Sequence, residues 1–549
     1  MKRLFGNTGG LKASQIRRLE NLYRRRLPPQ FLITFELARD ISRLSHDIRR
    51  QIGLLINRQG KIAYVIVGDH QKIVIPDTSE YRTAPGRLKG LRCIHTHLNN
   101  EPLTKDDLTD LALLRLDIMA AITTTKTGNL HKVHMGYILP TSSYGRPFQL
   151  LKPLNPNELD IGCLDLIHSL EAELAHLTSL HEADTKKERA LLVSVTTSSR
   201  KTAMDSLEEL KELALSSDIE IVGKMLQQRR TINSKFLLGP GKLQDLILTA
   251  LQKGVTLIIF DQELNPSQIG SITDQIDLKV IDRTQLILDI FAQRAQTKEG
   301  KLQVELAQLK YLLPRLVTKN TAMSRLTGGI GGRGPGETKL EINRRRVRDR
   351  IRRVENELLL VRKQRKQQKS KRRKRGLTVI SIIGYTNAGK STLLNTLTKS
   401  RVRAESRLFA TLDPSSRRLK FPKDIEVIIT DTVGFIKNLP GDLMVAFRAT
   451  LEELESADLL LHVIDISNPR FKDQIKSVEK IISDLNLDAI PLIRVLNKKD
   501  LIDKATAESL RKSLGGTAIS AKDKSTLMPL IKKMKTTTDH LRDRTAEPN

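Results

Sequence analysis

The chain has 549 residues, 93 Lys plus Arg against 62 Asp plus Glu, a formal net charge of +31 and a pI of about 10.1, a field that favours a polyanionic partner. With 39% hydrophobic and 28% charged residues it is not a disordered chain, and at roughly 150 residues per domain it has length for three or four cores. Only Cys93 and Cys163 are present, which excludes a disulfide scaffold and fits a reducing cytoplasm; Met1–Gly10 has no apolar run that would make a leader, and no uncharged apolar stretch reaches the ~20 residues of a bilayer span.

Residues 1–185 read as an α+β extension. Ile52–Ile56 and Ile62–Val67 are predicted strands about a turn at Gln59-Gly60, Asp107–Leu116 a helix, and the acidic stretch 155–190 a helical linker. Cys93-Ile94-His95-Thr96-His97 is followed by Thr104-Lys105-Asp106-Asp107. This resembles the H-x-H…S-x-x-D pattern of JAB/MPN-type zinc hydrolases, since two histidines on an extended segment and a carboxylate at a helix start are Zn²⁺ ligand types. Leu98 stands where that pattern has proline, and the spacing is one residue short. The preceding strand carries no glutamate, Gln51 being its nearest polar group; Glu36 and Glu80 are the carboxylates left to act as base. Two readings stay open: a metal set of His95, His97 and Asp107, and a structural loop with two surface histidines.

From 186 to 283 the periodicity alternates. Leu191–Val195, Ile219–Val222, Leu257–Phe260 and Leu278–Ile281 are predicted strands, with helices at Ser206–Leu215, Leu243–Leu251 and Pro266–Gln275 between them. That pattern makes a small, mostly parallel α/β domain. Gly239-Pro240-Gly241-Lys242 reads as a helix start.

Residues 284–375 carry two heptad-like seams. Leu302, Leu306, Leu309 and Leu313 form one; Leu340, Val347, Ile351, Val354, Leu358 and Val361 form the other. The glycine-rich run Thr327–Gly336 between them predicts an antiparallel helical hairpin. Arg344–Arg375 holds 17 Lys/Arg and three acids, +14 of the +31. A solvated charged face is one reading; the size of the cluster favours nucleic-acid contact. With 12 Phe, 7 Tyr and no Trp, that contact should run through phosphate and shape rather than stacked bases.

Residues 376–535 alternate again. Val379–Ile383, Glu426–Ile429, Leu459–Val463, Leu492–Leu496 and Thr517–Ile519 are predicted strands, and 536–549 a polar tail. Gly384–Ser391 matches G-x-x-x-x-G-K-[ST] between a strand and a helix, the context in which backbone N–H groups wrap a polyphosphate. Lys390 should reach the terminal phosphates and Ser391 should ligate Mg²⁺. Asp431-Thr432-Val433-Gly434 ends a strand, where the carboxylate serves the Mg²⁺ shell through water and the Gly434 amide faces a γ-phosphate. Asn497-Lys498-Lys499-Asp500 places a carboxylate that accepts from guanine N1–H and its exocyclic amine, a donor pair adenine lacks. Ser520-Ala521 fits the loop that closes over the base. Thr411, in Phe409-Ala410-Thr411-Leu412-Asp413, is the natural switch threonine.

The order and spacing of these elements match a Ras-like P-loop GTPase domain, so GTP and GDP are the expected ligands. The contact set is Gly384, Tyr385, Thr386, Asn387, Ala388, Gly389, Lys390, Ser391 and Thr392; Phe409, Ala410, Thr411, Leu412 and Asp413; Asp431, Thr432, Val433 and Gly434; Asn497, Lys498, Lys499 and Asp500; and Ser520, Ala521 and Lys522. Lys390, Thr411 and Gly434 are expected to act in catalysis, and Ser391 and Thr411 to hold Mg²⁺. Phe435 stands where Ras-type enzymes carry a glutamine that orients water, so intrinsic hydrolysis should be slow unless a partner or ion supplies the group. Asn387 resembles the asparagine of potassium-dependent GTPases, or is an ordinary loop asparagine.

The chain also resembles the HflX family of translational GTPases. The resemblance rests on Gly331–Glu341 with Arg344-Arg345-Arg346, on Phe260–Gln268, on Phe409–Asp413 and on Asp431–Phe435. It implies a GTPase that binds the large ribosomal subunit, brings its α/β domain and hairpin toward the peptidyl-transferase region under GTP control, and splits, recycles or rescues ribosomes. The basic hairpin is where ribosomal RNA would be met; no DNA partner is expected, and the chain should be a cytoplasmic monomer. Most of that family's C-terminal domain is not evident after about residue 535. Two alternatives stay open, an RNA-maturation or ribosome-assembly GTPase and a GTP-gated RNA-binding module with little turnover.

Overall fold

The computed structural model describes the chain except residues 1–2, 79, 82–86, 141–146, 160, 183–186, 277, 325–338, 374–377, 399–414, 422–424, 432–433, 437–453 and 547–549. Two compact units form, residues 1–208 with 218–281, and residues 209–217 with 282–549. The expected extension and the expected α/β domain therefore share one unit.

In the first unit, β1 (Phe5–Gly6), α1 (Ala13–Leu22), α2 (Phe35–Ile48), β2 (Ile52–Asn57), β3 (Ile62–Val67), β4 (Leu91–His97), α3 (Lys105–Leu113), β5 (Ile118–Thr124), β6 (Leu130–Ile138), β7 (Phe148–Leu150) and α4 (Cys163–Glu182) follow one another. They build a seven-stranded sheet of order β1-β3-β2-β4-β5-β6-β7, antiparallel except at β1–β3 and β4–β5. Strand alternation separates two cores: Ile94, Ala120 and Ile122 pack with Ile41, Leu44 and Ile48 of α2, while Cys93, Met119 and Ala121 pack with Leu111 and Ala112 of α3. The stretch expected as a linker is more than that. Cys163 and Ile167 of α4 enter the first core, and Leu170 and Leu174 the second.

The chain goes on through β8 (Arg189–Thr196), α5 (Arg200–Ser216), β9 (Glu220–Gln228), α6 (Pro240–Gln252), β10 (Leu257–Phe260), α7 (Pro266–Ile276) and β11 (Lys279–Asp282). The four strands order as β11-β10-β8-β9, with β8 parallel to both β9 and β10. Gly239 and Pro240 start α6 as expected, and α6 packs on α3, where Thr109 donates to Gln244.

The second unit opens with α8 (Arg283–Arg294), α9 (Lys298–Ser324) and α10 (Lys339–Arg373). The first turns of α9 meet the middle of α10, where Leu302 and Leu306 bury Val354 and Leu358, as an antiparallel hairpin requires. Arg350–Glu305 (2.6 Å) and Lys310–Glu355 (2.8 Å) flank this seam. The glycine-rich tip lies outside the described residues.

Then come β12 (Thr378–Gly384), α11 (Lys390–Thr398), β13 (Ser415–Phe421), β14 (Ile425–Asp431), β15 (Leu459–Asp465), α12 (Phe471–Asp484), β16 (Leu492–Asn497), α13 (Lys504–Leu514), β17 (Thr517–Ala518) and α14 (Met528–Ala546). The six-stranded sheet has the order β13-β14-β12-β15-β16-β17 and is parallel except for β13. The tail expected from 536 is instead the last turns of α14. Leu530, Met534 and Thr538, four residues apart and all buried, carry its apolar stripe past 535.

Candidate functional site

Central strands β12 and β15 bury every apolar residue that faces the sheet core, so the phosphate loop leaves β12 from a rigid base. Gly384 can only be glycine here: its φ is +150° and an added Cβ would lie 2.3 Å from the Val463 carbonyl oxygen. Asn387 has φ +60°, a left-handed backbone that asparagine tolerates. Its side chain is exposed, and the turn geometry by itself accounts for its residue type.

Lys390 is the first residue of α11. It is buried and donates from Nζ to the Tyr385 carbonyl at 2.8 Å. Burial pushes its ammonium down to about 8, against the opposing pull of Asp431. The next residue, Ser391, donates from its hydroxyl to Asp431 at 2.6 Å. Gly434 sits so close to the loop that a Cβ would be 2.8 Å from Thr386 Cγ2 and 2.9 Å from Lys390 Nζ. Beside it, Phe435 is buried and tied to the loop by two backbone hydrogen bonds: its N–H donates to the Gly384 carbonyl (3.1 Å) and its carbonyl accepts from the Thr386 N–H (2.8 Å).

The base-side motifs converge on the same loop. Asn497 ends β16; its Nδ2 donates to the Ala388 carbonyl at 2.7 Å and its Oδ1 accepts from the Ala521 N–H at 2.8 Å. One buried side chain thus joins the phosphate loop to the Ser520-Ala521 turn. Lys498 has φ +65° and pairs with Asp465 at 2.7 Å, and Asp500 lies exposed in the short turn after it. Lys522 is exposed beyond Ala521. Phe409, Ala410, Thr411, Leu412, Asp413, Thr432 and Val433 lie outside the described residues.

Three side chains escaped the sequence reading. The Tyr385 hydroxyl donates to Glu209 of α5, and Glu209 pairs with Arg283 at the start of α8 at 2.6 Å; both ion-pair partners are buried. His462, on β15, is buried and held neutral, its pKa pushed down to about 3 by burial and then by Arg494 and Lys390. A separation of 176 residues hid Glu209 from any motif.

On α10, Arg346, Arg348, Arg352 and Arg353 are exposed. In the other unit, His95 and His97 are not surface residues. They lie on β4, buried, facing the start of α3, and Asp107 comes with them. Glu80 is spent on the Tyr64 hydroxyl, and the Gln51 amide donates to the Gln71 carbonyl at 2.9 Å. Among the described residues no helix is long and apolar enough to cross a membrane.

Three families match consecutive stretches: "GTP-binding GTPase N-terminal" over residues 204–292, "GTP-binding GTPase Middle Region" over 294–372 and "50S ribosome-binding GTPase" over 379–498. The chain is 48% identical to the GTPase HflX of Caldanaerobacter subterraneus subsp. tengcongensis over 352 residues, 64% of this chain and 81% of that one. It is 44% identical to the GTPase HflX of Escherichia coli over 316 residues, 58% of this chain and 74% of that one. A GTP-binding protein from Sulfolobus solfataricus, solved in complex with GDP, aligns at 26% identity with a TM-score of 0.35, over 65% of this chain and 99% of that one.

Proposed function

Since the chain belongs to the HflX family of GTPases, we propose that it binds the large ribosomal subunit under GTP control and acts in translation as a splitting, recycling or rescue factor. It is an enzyme that binds GTP and GDP and hydrolyses GTP. The ribosomal role, the cytoplasmic setting, the monomeric state and the residue roles that follow are our reading.

The phosphate loop from Gly384 to Thr392 cradles the polyphosphate with its N–H groups, and the start of α11 adds its dipole. Lys390, already desolvated, is held more firmly in its charged form when phosphate oxygens replace the Tyr385 carbonyl as its partner. The hydroxyl of Ser391 and the carboxylate of Asp431 are hard oxygen donors that fit Mg²⁺: Ser391 and Thr411 would hold it directly and Asp431 through water. When bound, that ion neutralises charge on the β- and γ-phosphate oxygens. The Gly434 N–H faces the γ-phosphate, and Asp500 takes the two guanine donors while Asn497 keeps the base loop and phosphate loop in register. The buried Phe435 offers no group to orient water. The missing contribution comes from the ribosome or from a K⁺ near Asn387; equal turnover in Na⁺ and K⁺ leaves the ribosome.

The observation that carries the reading is one unit holding both the nucleotide motifs and a helix with 15 Lys/Arg between Arg344 and Arg373. Such a helix binds folded RNA through its phosphates. Co-sedimentation tests it. Pelleting with mature large subunits in a non-hydrolysable GTP analogue, and release in GDP, is the expected result. Indifference to ribosomal particles in every nucleotide removes the reading. Preference for immature particles favours the assembly alternative, and hydrolysis unmoved by ribosomes favours a GTP-gated RNA-binding module.

A further inference from the structure

His95 and His97 are two residues apart on β4, so both side chains project from the same face of the sheet. Thr96 between them points the other way, to the Ser45 hydroxyl of α2 at 2.7 Å. On the histidine face, Thr104 caps α3 and forms a reciprocal capping box with Asp107: the Asp107 N–H donates to the Thr104 hydroxyl, and the Thr104 N–H donates to Asp107 Oδ2 at 2.7 Å. The box fixes the carboxylate over the two rings. His95 Nε2 is 2.8 Å from His97 Nε2 and 3.1 Å from Asp107 Oδ1, and His97 Nε2 is 3.5 Å from Asp107 Oδ2.

With both rings neutral, one proton does not satisfy this arrangement. His97 Nδ1 lies 2.9 Å from the Glu101 carbonyl, which can only accept, so the neutral ring carries its proton on Nδ1 and presents a lone pair at Nε2. A carboxylate and the second ring nitrogen face that lone pair. A single proton on His95 Nε2 can serve one of its two neighbours, not both. A cation at the centre serves all three.

We propose that His95 Nε2, His97 Nε2 and the Asp107 carboxylate bind one divalent transition-metal ion, Zn²⁺ being the best fit. Two imidazoles and a carboxylate are borderline ligands of the kind zinc takes, and bonds of roughly 2.0–2.1 Å in a tetrahedron set ligand atoms about 3.3 Å apart. The observed separations, 2.8 to 3.5 Å, straddle that value. The Nδ1–H of His97 on the Glu101 carbonyl and the Thr104 bonds to Asp107 are the outer contacts that orient such ligands. Three protein ligands leave a fourth position for water or another small donor. Of the groups the sequence offered near this strand, the Glu80 carboxylate is engaged by Tyr64 and the Gln51 amide is turned to Gln71.

The test uses the full chain, stripped with a chelator and titrated with Zn²⁺ against a chelating dye, and in parallel with Co²⁺. One Zn²⁺ per chain is expected, with a Co²⁺ spectrum of tetrahedral nitrogen and oxygen ligation and no thiolate band. Since loss of outer contacts alone costs 10- to 100-fold in metal affinity, Asp107→Asn and the double variant His95→Ala/His97→Ala should bind at least about a hundredfold more weakly. His70→Ala, on an exposed turn, should bind as the wild type does. Denaturant unfolding checks that each variant folds. If both ligand variants misfold, the wild-type titration still decides: no Zn²⁺ uptake at micromolar concentration overturns the proposal, as does a thiolate Co²⁺ spectrum. Unchanged affinity in folded ligand variants overturns it as well.

Discussion

Two strand-to-helix junctions in this protein have opposite electrical character. At the end of β12 the chain turns through Gly384–Gly389 into α11 and presents N–H groups, a helix N-terminus and a desolvated lysine, all of them donors of the kind that suit an anion. At the end of β4 it turns through residues 98–104 into α3 and presents two ring nitrogens and a carboxylate, all of them electron pairs aimed at a cation. Both rest on buried strands and both are stabilised by the first turn of the following helix. The difference lies in what makes each site. The first is mostly backbone, so glycine positions define it; the second is wholly side chain, so sheet alternation and one cap define it.

The comparison breaks most sharply at Lys390. Lys390→Ala removes the charged donor and should weaken GTP binding by about a hundredfold, near 3 kcal/mol, in a fluorescent-nucleotide titration, with metal uptake at His95 and His97 unchanged. Loss of both together would mean that the two junctions are not independent. Next in size is Arg58→Ala. Arg58 bridges Asp117 at 2.8 Å and Glu171 at 2.7 Å, and Asp117 is 1% exposed. Leaving that buried carboxylate with the Gly90 N–H but without its counter-charge should cost about 3 kcal/mol in urea unfolding of the first unit, with GTP affinity unmoved.

The same cluster gives a pH dependence. The Arg58 hydrogen bond holds the Glu171 carboxyl below its ordinary range, so its stabilisation is present above the unfolded glutamate pKa and is lost as pH falls through the lower folded value. Glu171→Gln should flatten the acid limb of the stability curve. The smallest effect is expected at Glu209→Gln, which keeps a hydrogen-bond acceptor for Tyr385 but withdraws the charge from Arg283. About 1–2 kcal/mol of stability should go, with nucleotide affinity lowered several-fold and guanine preference intact.

The legibility of these features follows their chemistry. Gly384–Ser391, Asp431–Gly434 and Asn497–Asp500 are contiguous, and each came at the end of a readable apolar strand. β8 and β10 of the small α/β sheet were equally plain, because parallel strands buried on both faces are runs of Val, Ile and Leu, whereas β9 runs on to Gln228, past the expected Val222, through half-buried Lys224 and Gln227. β4 was harder. All seven of its residues are buried, yet Arg92, His95, Thr96 and His97 interrupt the apolar pattern. β13 was missed because Ser415-Ser416-Arg417-Arg418-Leu419-Lys420 reads as charged loop, although it pairs along its whole length with β14. Asp107 was placed beside the histidines only by the capping box, a detail that spacing alone left one residue out of step. The Tyr385–Glu209–Arg283 connection joins three distant segments through buried polar atoms and has no local signature.

That last connection bears on how the enzyme should be handled at the bench. Cutting the chain just ahead of residue 376 would yield a tidy nucleotide-binding fragment, but it would strip the Tyr385 phenol of the carboxylate that grips it from α5. Turnover measured on such a truncation reports a phosphate loop with one of its guy-lines cut, and is a poor proxy for the intact protein.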